Sequence, residues 1–541
     1  ARPERWRCGL SLSPRRRASL LAVLTVVVCS LFGGLYGPRV GAAAAPEDDL
    51  RESIRTFASV YHLIEQNYAD KLNPDTAIFN GAIPGMLHKL DPHSSFFDPE
   101  QYNSLREDQK GHYAGVGMQV GPRNRKTIVL APFPRTPAYK AGIRPGDVIL
   151  KVDGESTENM SVADVAKRLR GEKGTPVHIT IGRQGRDKPL EFTVVRDEIP
   201  RPSVPIAFFV KPGIGYVLVE TFNETTGREL TEKLKELNEP NLKGLVLDLR
   251  QNRGGLLTEG VAVADKFLRR GQTIVSHHGR SSAEKPYRAQ RGNAGKNYPM
   301  VVMVDCGSAS AAEIVAGALQ DHDRALIVGS STFGKGLVQT VYPLNHNTGL
   351  ALTTARYYTP SGRLIQRPYN NISLFDYYSD PCRNNHRTPK LEAKMTDSGR
   401  TVYGGDGITP DVKFQAPKAD KFQNTLARPG FSVFFNYAQH FFSTRETIPP
   451  KWEPNEETLN DFRQFLVNEK IQFAEADFTR NLEFIKRSIK REIYNSGFDT
   501  DEGAKVYVES DPDVQQAVEL LPKARELTEA ASRLIAQRSK Q

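Results

Sequence analysis

Apolar and polar positions divide this chain into elements of recognisable type. Met300 to Val304 is apolar without a break and rich in valine, which predicts a strand buried on both faces. A block of small residues, Cys306 to Ser310, follows, where the chain can turn sharply. Ala311 to Leu319 has no proline, is rich in alanine and favours a helix. Leu245 to Arg250, Gly213 to Val219 and Arg324 to Gly329 read as further strands, and residues 257–269 and 311–320 as helices between them. This alternation predicts right-handed crossovers and a largely parallel sheet.

Helical spacing recurs at both ends of the chain. Ile54, Phe57, Ala58 and Tyr61 predict a helical segment within residues 46–110. Leu459, Phe462 and Leu466, then Phe478, Leu482, Ile485 and Ile489, then Val514, Ala517, Val518 and Leu521 predict a helical region over 415–541, either packed on the body of the molecule or presented to a partner. Residues 367–402 are polar and read as an insertion loop inside a core of 199–414.

Composition is that of a globular chain, and 541 residues suffice for several domains. The net charge of +10 changes the picture only by its location. Residues 1–45 hold seven arginines and one glutamate, +6, which leaves about +4 for the remainder and argues against nucleic-acid binding. Those same residues have the layout of a signal peptide. Arg15 to Arg17 is basic, Leu20 to Phe32 is an apolar run, and Ala42 to Ala45 offers a cleavage site after Ala43 or Ala45. The expectation is export, to a periplasm or cell envelope; left uncleaved, the segment would tie the protein to a membrane. Beyond it only Cys306 and Cys382 remain, no disulfide framework, and Cys306 reads as a small buried residue at a strand end. The eleven histidines show no metal-ligand spacing, so neither a metal nor a cofactor is expected.

Candidate chemistry starts at Ser310, at the strand-to-helix turn. Serine there is a favoured N-cap. It is also well placed as a nucleophile, because the free amide of Ala311 at the helix N-terminus could stabilise an oxyanion. Lys335 lies between two glycines and leads into an apolar run. Such a lysine is ordinarily a surface residue. Drawn out of water, its amine loses its proton more easily and can serve as base to a serine.

The two motifs Gly307-Ser308-Ala309-Ser310-Ala311-Ala312-Glu313 and Thr332-Phe333-Gly334-Lys335-Gly336-Leu337-Val338-Gln339 together resemble the carboxy-terminal processing proteases, also called tail-specific proteases. The resemblance implies a Ser–Lys dyad, with Ser310 as nucleophile, Lys335 as base and Gln339 helping to hold the lysine. Ser308 lies in the same motif, but the family places the nucleophile at the second serine. Gly81 to Phe97, containing Leu90-Asp91-Pro92-His93-Ser94-Ser95, fits the stretch ahead of that family's PDZ domain, its Asp-Pro-His-Ser-Ser reading as turn and cap chemistry.

Residues 111–198 resemble the PDZ domain itself. Gly115, Val116, Gly117 and Met118 match the carboxylate-binding loop, and Ala141-Gly142 to Gly154 the signature that follows. Such a groove takes a chain end by strand addition. Leu247-Asp248-Leu249-Arg250-Gln251-Asn252-Arg253-Gly254-Gly255-Leu256 resembles the family's glycine-pair segment, which implies that Gly254 or Gly255 completes the oxyanion hole with Ala311. The family usually has proline where Arg253 stands, so the choice between the glycines stays open. Asp248 and Arg250 read as an ion pair. Arg170, in Leu169-Arg170-Gly171, matches the arginine that in this family links bound peptide to the protease domain; at a helix end it also suits the dipole.

The expected protein is an α/β multidomain exported serine endopeptidase that cleaves proteins near apolar C-termini recognised by its PDZ domain, with no cofactor. An oligomer or an adaptor protein stays open as a further partner. One rival is a catalytically inactive PDZ adaptor on a protease-like fold. Another is a Ser-His-Asp hydrolase using His322 with Asp321 or Asp323.

Overall fold

The computed structural model describes residues 46–370, 372–379, 392–414, 419–427, 433–445 and 447–538, so the expected signal peptide lies outside it. The chain divides after Gly81 into two units. The first carries the helix Pro46–Asn67, whose Leu50, Ile54, Phe57, Val60, Leu63 and Ile64 are exposed, and the short helix Pro74–Ala77, capped by Asn73. No helix among the described residues is long and apolar enough to cross a membrane.

In the second unit, the strand Ser95–Phe97 interrupts the stretch expected to be helical, and the helix Pro99–Lys110 follows, opened by an Asp98 capping box. The PDZ-like region is a sheet in the order Met118–Arg123, Lys126–Pro132, Val148–Val152, Pro176–Gly182, Leu190–Val195, with the helix Val162–Leu169 packed on it through Val165 and Leu169. A separate ribbon pairs His112–Gly115 with Asp197–Pro200 and joins the region's entry to its exit. Gly117 has φ +79°, and a Cβ there would stand 2.4 Å from Thr136, so only glycine fits.

The central sheet runs Ile206–Lys211, Ile214–Leu218, Gly244–Asp248, Met300–Val304, Leu326–Gly329, Val412–Lys413. Only the first strand is antiparallel to its neighbour, as the alternation of strand and helix predicts. The strand period of two sorts its side chains between two cores. Leu245, Leu247, Met300, Val302 and Ile327 pack with the helices Thr226–Glu236, Leu257–Asp265 and Ala311–Asp321. Val246, Val301, Met303 and Val328 face the other way, onto Val514, Ala517, Val518, Leu521 and Ala524. These belong to the helices Pro512–Glu519 and Leu521–Arg538, so the second layer of the sheet comes from the far C-terminal region. Earlier helices of that region, among them Val433–Ser443, Glu456–Asn468 and Leu482–Gly497, close around a separate aromatic core that includes Tyr437, Phe462 and Phe478.

An antiparallel sheet completes the body. Its strand Gly349–Tyr358 pairs with Ser95–Phe97, with Thr273–Gly279 and with Leu337–Pro343. The segment expected to be an insertion loop carries regular structure in its described parts: the helix Leu374–Ser379 and a hairpin of Glu392–Met395 with Thr401–Gly404. Its polar sequence hid them, because the short helix docks through two tyrosines and the hairpin has mostly exposed side chains. Cys306 is buried just past the end of the strand Met300–Val304, as expected. It is disulfide-bonded, and so is no free thiol beside Ser310.

Candidate functional site

Ser310 sits where the strand Met300–Val304 gives way to the helix Ala311–Asp321, but not in the backbone of an ordinary N-cap. Its φ is 56° and its ψ −115°, a conformation that L-residues rarely adopt. Asp305 shapes the approach, accepting from the amides of Gly307 (2.9 Å) and Ser308 (3.1 Å). Ser308 is fully buried with its hydroxyl bound to Leu249 O at 2.7 Å, which leaves Ser310 as the serine open to chemistry.

A buried carboxylate ties this turn to Lys335. Glu313, one turn into the helix, accepts from Ser310 N (2.8 Å) and Lys335 N (2.9 Å) on one oxygen. Its other oxygen accepts from Thr332 Oγ1 (2.5 Å) and Gly334 N (2.8 Å). Burial pushes the Glu313 carboxyl above the ordinary glutamate range, while these four donors favour its charged form. Tyr357, from the strand Gly349–Tyr358, adds a second tie, its hydroxyl reaching Ser310 O (3.1 Å) and Lys335 O. Neither residue's role was legible beforehand. Glu313 at least left a signal, since Ser-x-x-Glu at a helix start is the spacing that lets a carboxylate reach back to the N-cap amide. Tyr357 left none.

Ser310, Lys335, Gln339, Gly254 and Gly255 line one cleft of about 390 Å³. Burial lowers the Lys335 amine below the usual lysine value, against the raising effect of the Glu313 and Asp91 carboxylates. Lys335 Nζ donates to Gln339 Oε1 at 2.7 Å. Among the described residues no hydrogen bond joins Ser310 Oγ to Lys335 Nζ, so the two share the cleft without a direct bond.

The glycine pair lies against the serine. Gly254 has φ +91°, and a Cβ on it would approach Ser310 Cβ to 2.7 Å and Ala311 N to 3.0 Å. The Gly254 amide is occupied, donating to Asn252 Oδ1 at 2.8 Å. Gly255, φ +147°, pairs through its neighbours with Phe222, and its own amide has no partner among the described residues; nor has that of Ala311. Asp248 and Arg250 form the expected pair at 2.7 Å, with Asp511 of the C-terminal region 2.8 Å from the same guanidinium.

His93 also lines this cleft. Asp91 caps its turn, accepting from His93 N and Ser94 N at 2.8 Å each, as the turn reading required. Burial and the Lys335 charge bring the imidazole down to about 3, so it is neutral at working pH. His322 is elsewhere. It caps the opposite end of the Ser310 helix, about 18 Å away at 1.5 Å per residue. Both its ring nitrogens are engaged, by Asp397 (2.7 Å) and Thr273 O (2.7 Å). Asp321 and Asp323 pair with Arg363 and Arg400, so this trio forms no triad with Ser310.

In the PDZ-like region, Val116, Gly117 and Met118 line a groove of about 200 Å³ with Leu169 and Arg170, while Gly115 ends the strand leading to it. The Arg170 guanidinium lies 4.9 Å from the Tyr113 ring centre and pairs with Glu107 Oε2 at 2.9 Å. Glu107 belongs to the helix Pro99–Lys110, whose Leu105, Asp108 and Gln109 line the Ser310 cleft. Among the described residues no cluster of side chains could hold a metal ion.

Three stretches of the chain match known protein families. Residues 213–371 match the model of peptidase family S41, residues 128–183 a PDZ domain, and residues 39–101 the activating protease CtpB N-terminal domain. The carboxy-terminal-processing protease of Bartonella bacilliformis is 41% identical over 325 residues, 59% of this chain and 74% of that protein. The carboxy-terminal processing protease CtpB of Bacillus subtilis is 33% identical over 413 residues, 72% of this chain and 85% of that one. Among solved structures, a photosystem II D1 C-terminal processing protease is 29% identical over 66% of this chain and 86% of its own, with a TM-score of 0.34.

Proposed function

The chain belongs to the carboxy-terminal processing proteases, serine proteases with a PDZ domain, and from that premise we propose that its chemistry is that of a Ser310–Lys335 dyad. One observation supports this above the others: the buried Glu313 carboxylate binds the amides of both residues and holds them at one cleft. Ser310 Oγ attacks the scissile carbonyl carbon and its proton passes to the neutral amine of Lys335. The carbonyl oxygen, now negative, takes hydrogen bonds from Ala311 N and Gly255 N, the amides without a partner; Gly254 contributes by having no side chain. Collapse breaks the C–N bond, the departing amine takes the proton from Lys335, and an acyl-Ser310 remains. Water then attacks with Lys335 again as base, releasing the new C-terminus.

The PDZ groove, with Val116, Gly117 and Met118, recruits apolar protein C-termini by strand addition. The basic and apolar composition of residues 1–45 supports export to a periplasm or cell envelope. The test of the dyad is substitution. Ser310→Ala, Lys335→Ala and Lys335→Arg each abolish cleavage of a peptide substrate in a purified, folded protein, because arginine cannot release a proton near neutral pH. Full activity in Lys335→Arg would sink the dyad.

A further inference from the structure

Gln339 can steady Lys335 only if the correct end of its amide faces the lysine. Lys335 Nζ, as an ammonium, is a donor only, so it needs Oε1; the neutral amine needs Oε1 too, so that its lone pair stays free for the Ser310 proton. A flipped amide would direct an N–H at that lone pair and occupy it. What holds the amide is on its other side: Gln339 Nε2 donates to the backbone carbonyl of His93, 246 residues earlier in the chain.

His93 in turn is held by two tyrosines of the helix Leu374–Ser379. Tyr378 OH donates to Pro92 O at 2.5 Å, so its oxygen accepts from His93 Nδ1, 3.1 Å away. Tyr377 OH lies 2.9 Å from His93 Nε2 and accepts from Gln366 Nε2 at 3.3 Å, so its proton goes to Nε2. The hydroxyls therefore select one neutral tautomer, Nδ1–H, and engage both ring nitrogens. Tyr377 is buried, with the Arg367 guanidinium 4.1 Å from its ring centre and the Phe333 ring at 5.5 Å. Tyr377 thus stands on a fixed base, and the more exposed Tyr378 packs edge-on against it, ring centres 5.1 Å apart.

We propose that Tyr377 and Tyr378 are positioning residues for the general base, fixing His93 so that its carbonyl sets the orientation of the Gln339 amide toward Lys335. The proposal rests on the dyad reading. It assigns a role to the segment between 367 and 402 that no sequence motif suggested, and it makes a backbone carbonyl, rather than the His93 ring, the group that matters to the lysine.

The experiment is a double-mutant cycle on the full chain with a fluorogenic peptide. Tyr377→Phe/Tyr378→Phe keeps both rings and removes both hydroxyls. It should lower kcat about tenfold with KM unchanged within about twofold, the size of a coupling of about 1.4 kcal/mol. In a Gln339→Ala background the same pair should cost less than about twofold more, since its route to the lysine is already cut. An unchanged kcat, or the same tenfold loss in both backgrounds, overturns the proposal; thermal melting of each variant identifies loss through unfolding, and the single Tyr377→Phe and Tyr378→Phe variants then carry the cycle. Lys335→Ala is run beside them. Activity there defeats the dyad itself, whereas an inactive Lys335→Ala with additive tyrosine effects defeats only the positioning role.

Discussion

Burial is what would let Lys335 serve as a base, and it fixes the expected dependence on pH. The amine loses its proton below the usual lysine value of 10.5 because the cleft desolvates it more than Glu313 and Asp91 stabilise its charge. In the proposed dyad the working form is the neutral amine, so kcat/KM is expected to rise with pH through that lowered pKa and then level off. His93, brought down to about 3, is neutral throughout and adds no limb near the ordinary histidine value of 6.5. A profile of kcat/KM from pH 5 to about 10 checks this: a flat curve, or a midpoint at the ordinary lysine value, contradicts the assignment. Ser310 and Lys335 stood out in the sequence only through their two motifs taken together, since alone one reads as an N-cap serine and the other as a surface lysine. The backbone of Ser310 did not. A serine before an alanine-rich helix has the same letters whether it caps or is strained, and the strained backbone, costing about 1–3 kcal/mol, accompanies a hydrogen bond to Glu313 and a close approach that Gly254 permits by lacking a side chain. The difference between Gly254 and Gly255 was likewise hidden, since it lies in the Asn252 side chain that occupies the Gly254 amide.

At the scale of elements, the helix Pro99–Lys110 touches both binding features. Glu107 reaches Arg170 at the mouth of the PDZ groove, and the neighbouring Leu105, Asp108 and Gln109 reach the cleft. An ion pair this exposed is worth less than about 1 kcal/mol to stability. Arg170→Ala should therefore leave melting nearly unchanged, while a separate peptide with a free apolar C-terminus is expected to stimulate wild-type cleavage of a second substrate several-fold more than cleavage by the variant. Equal stimulation of both proteins would reduce Arg170 to a charge at a helix end. The parallel strands and the helices between them were readable because unbroken apolar runs have one good explanation. Ser95–Phe97 and Leu374–Ser379 were not, because three- and six-residue elements are too short to show a period; each owes its structure to a distant strand or ring.

For the molecule as a whole, the far C-terminal helices are part of the protease body. The helical spacing of Val514, Ala517, Val518 and Leu521 was plain in the sequence, but not what it faced, because a heptad-like stripe does not name its partner. Val518→Asp places a charge against Val246, Val301 and Met303 and should destabilise the central sheet by several kcal/mol, read as a large fall in melting temperature with loss of activity. A variant that melts and cleaves as the wild type would show that these helices are dispensable. The layering also has a consequence in time. Strands that carry Ser310 are synthesised long before the helices that cover them, and until Pro512–Glu519 and Leu521–Arg538 arrive one face of the sheet is bare. A growing chain therefore holds Ser310 in an unfinished scaffold, and cleavage should begin only after those helices have been made and have docked.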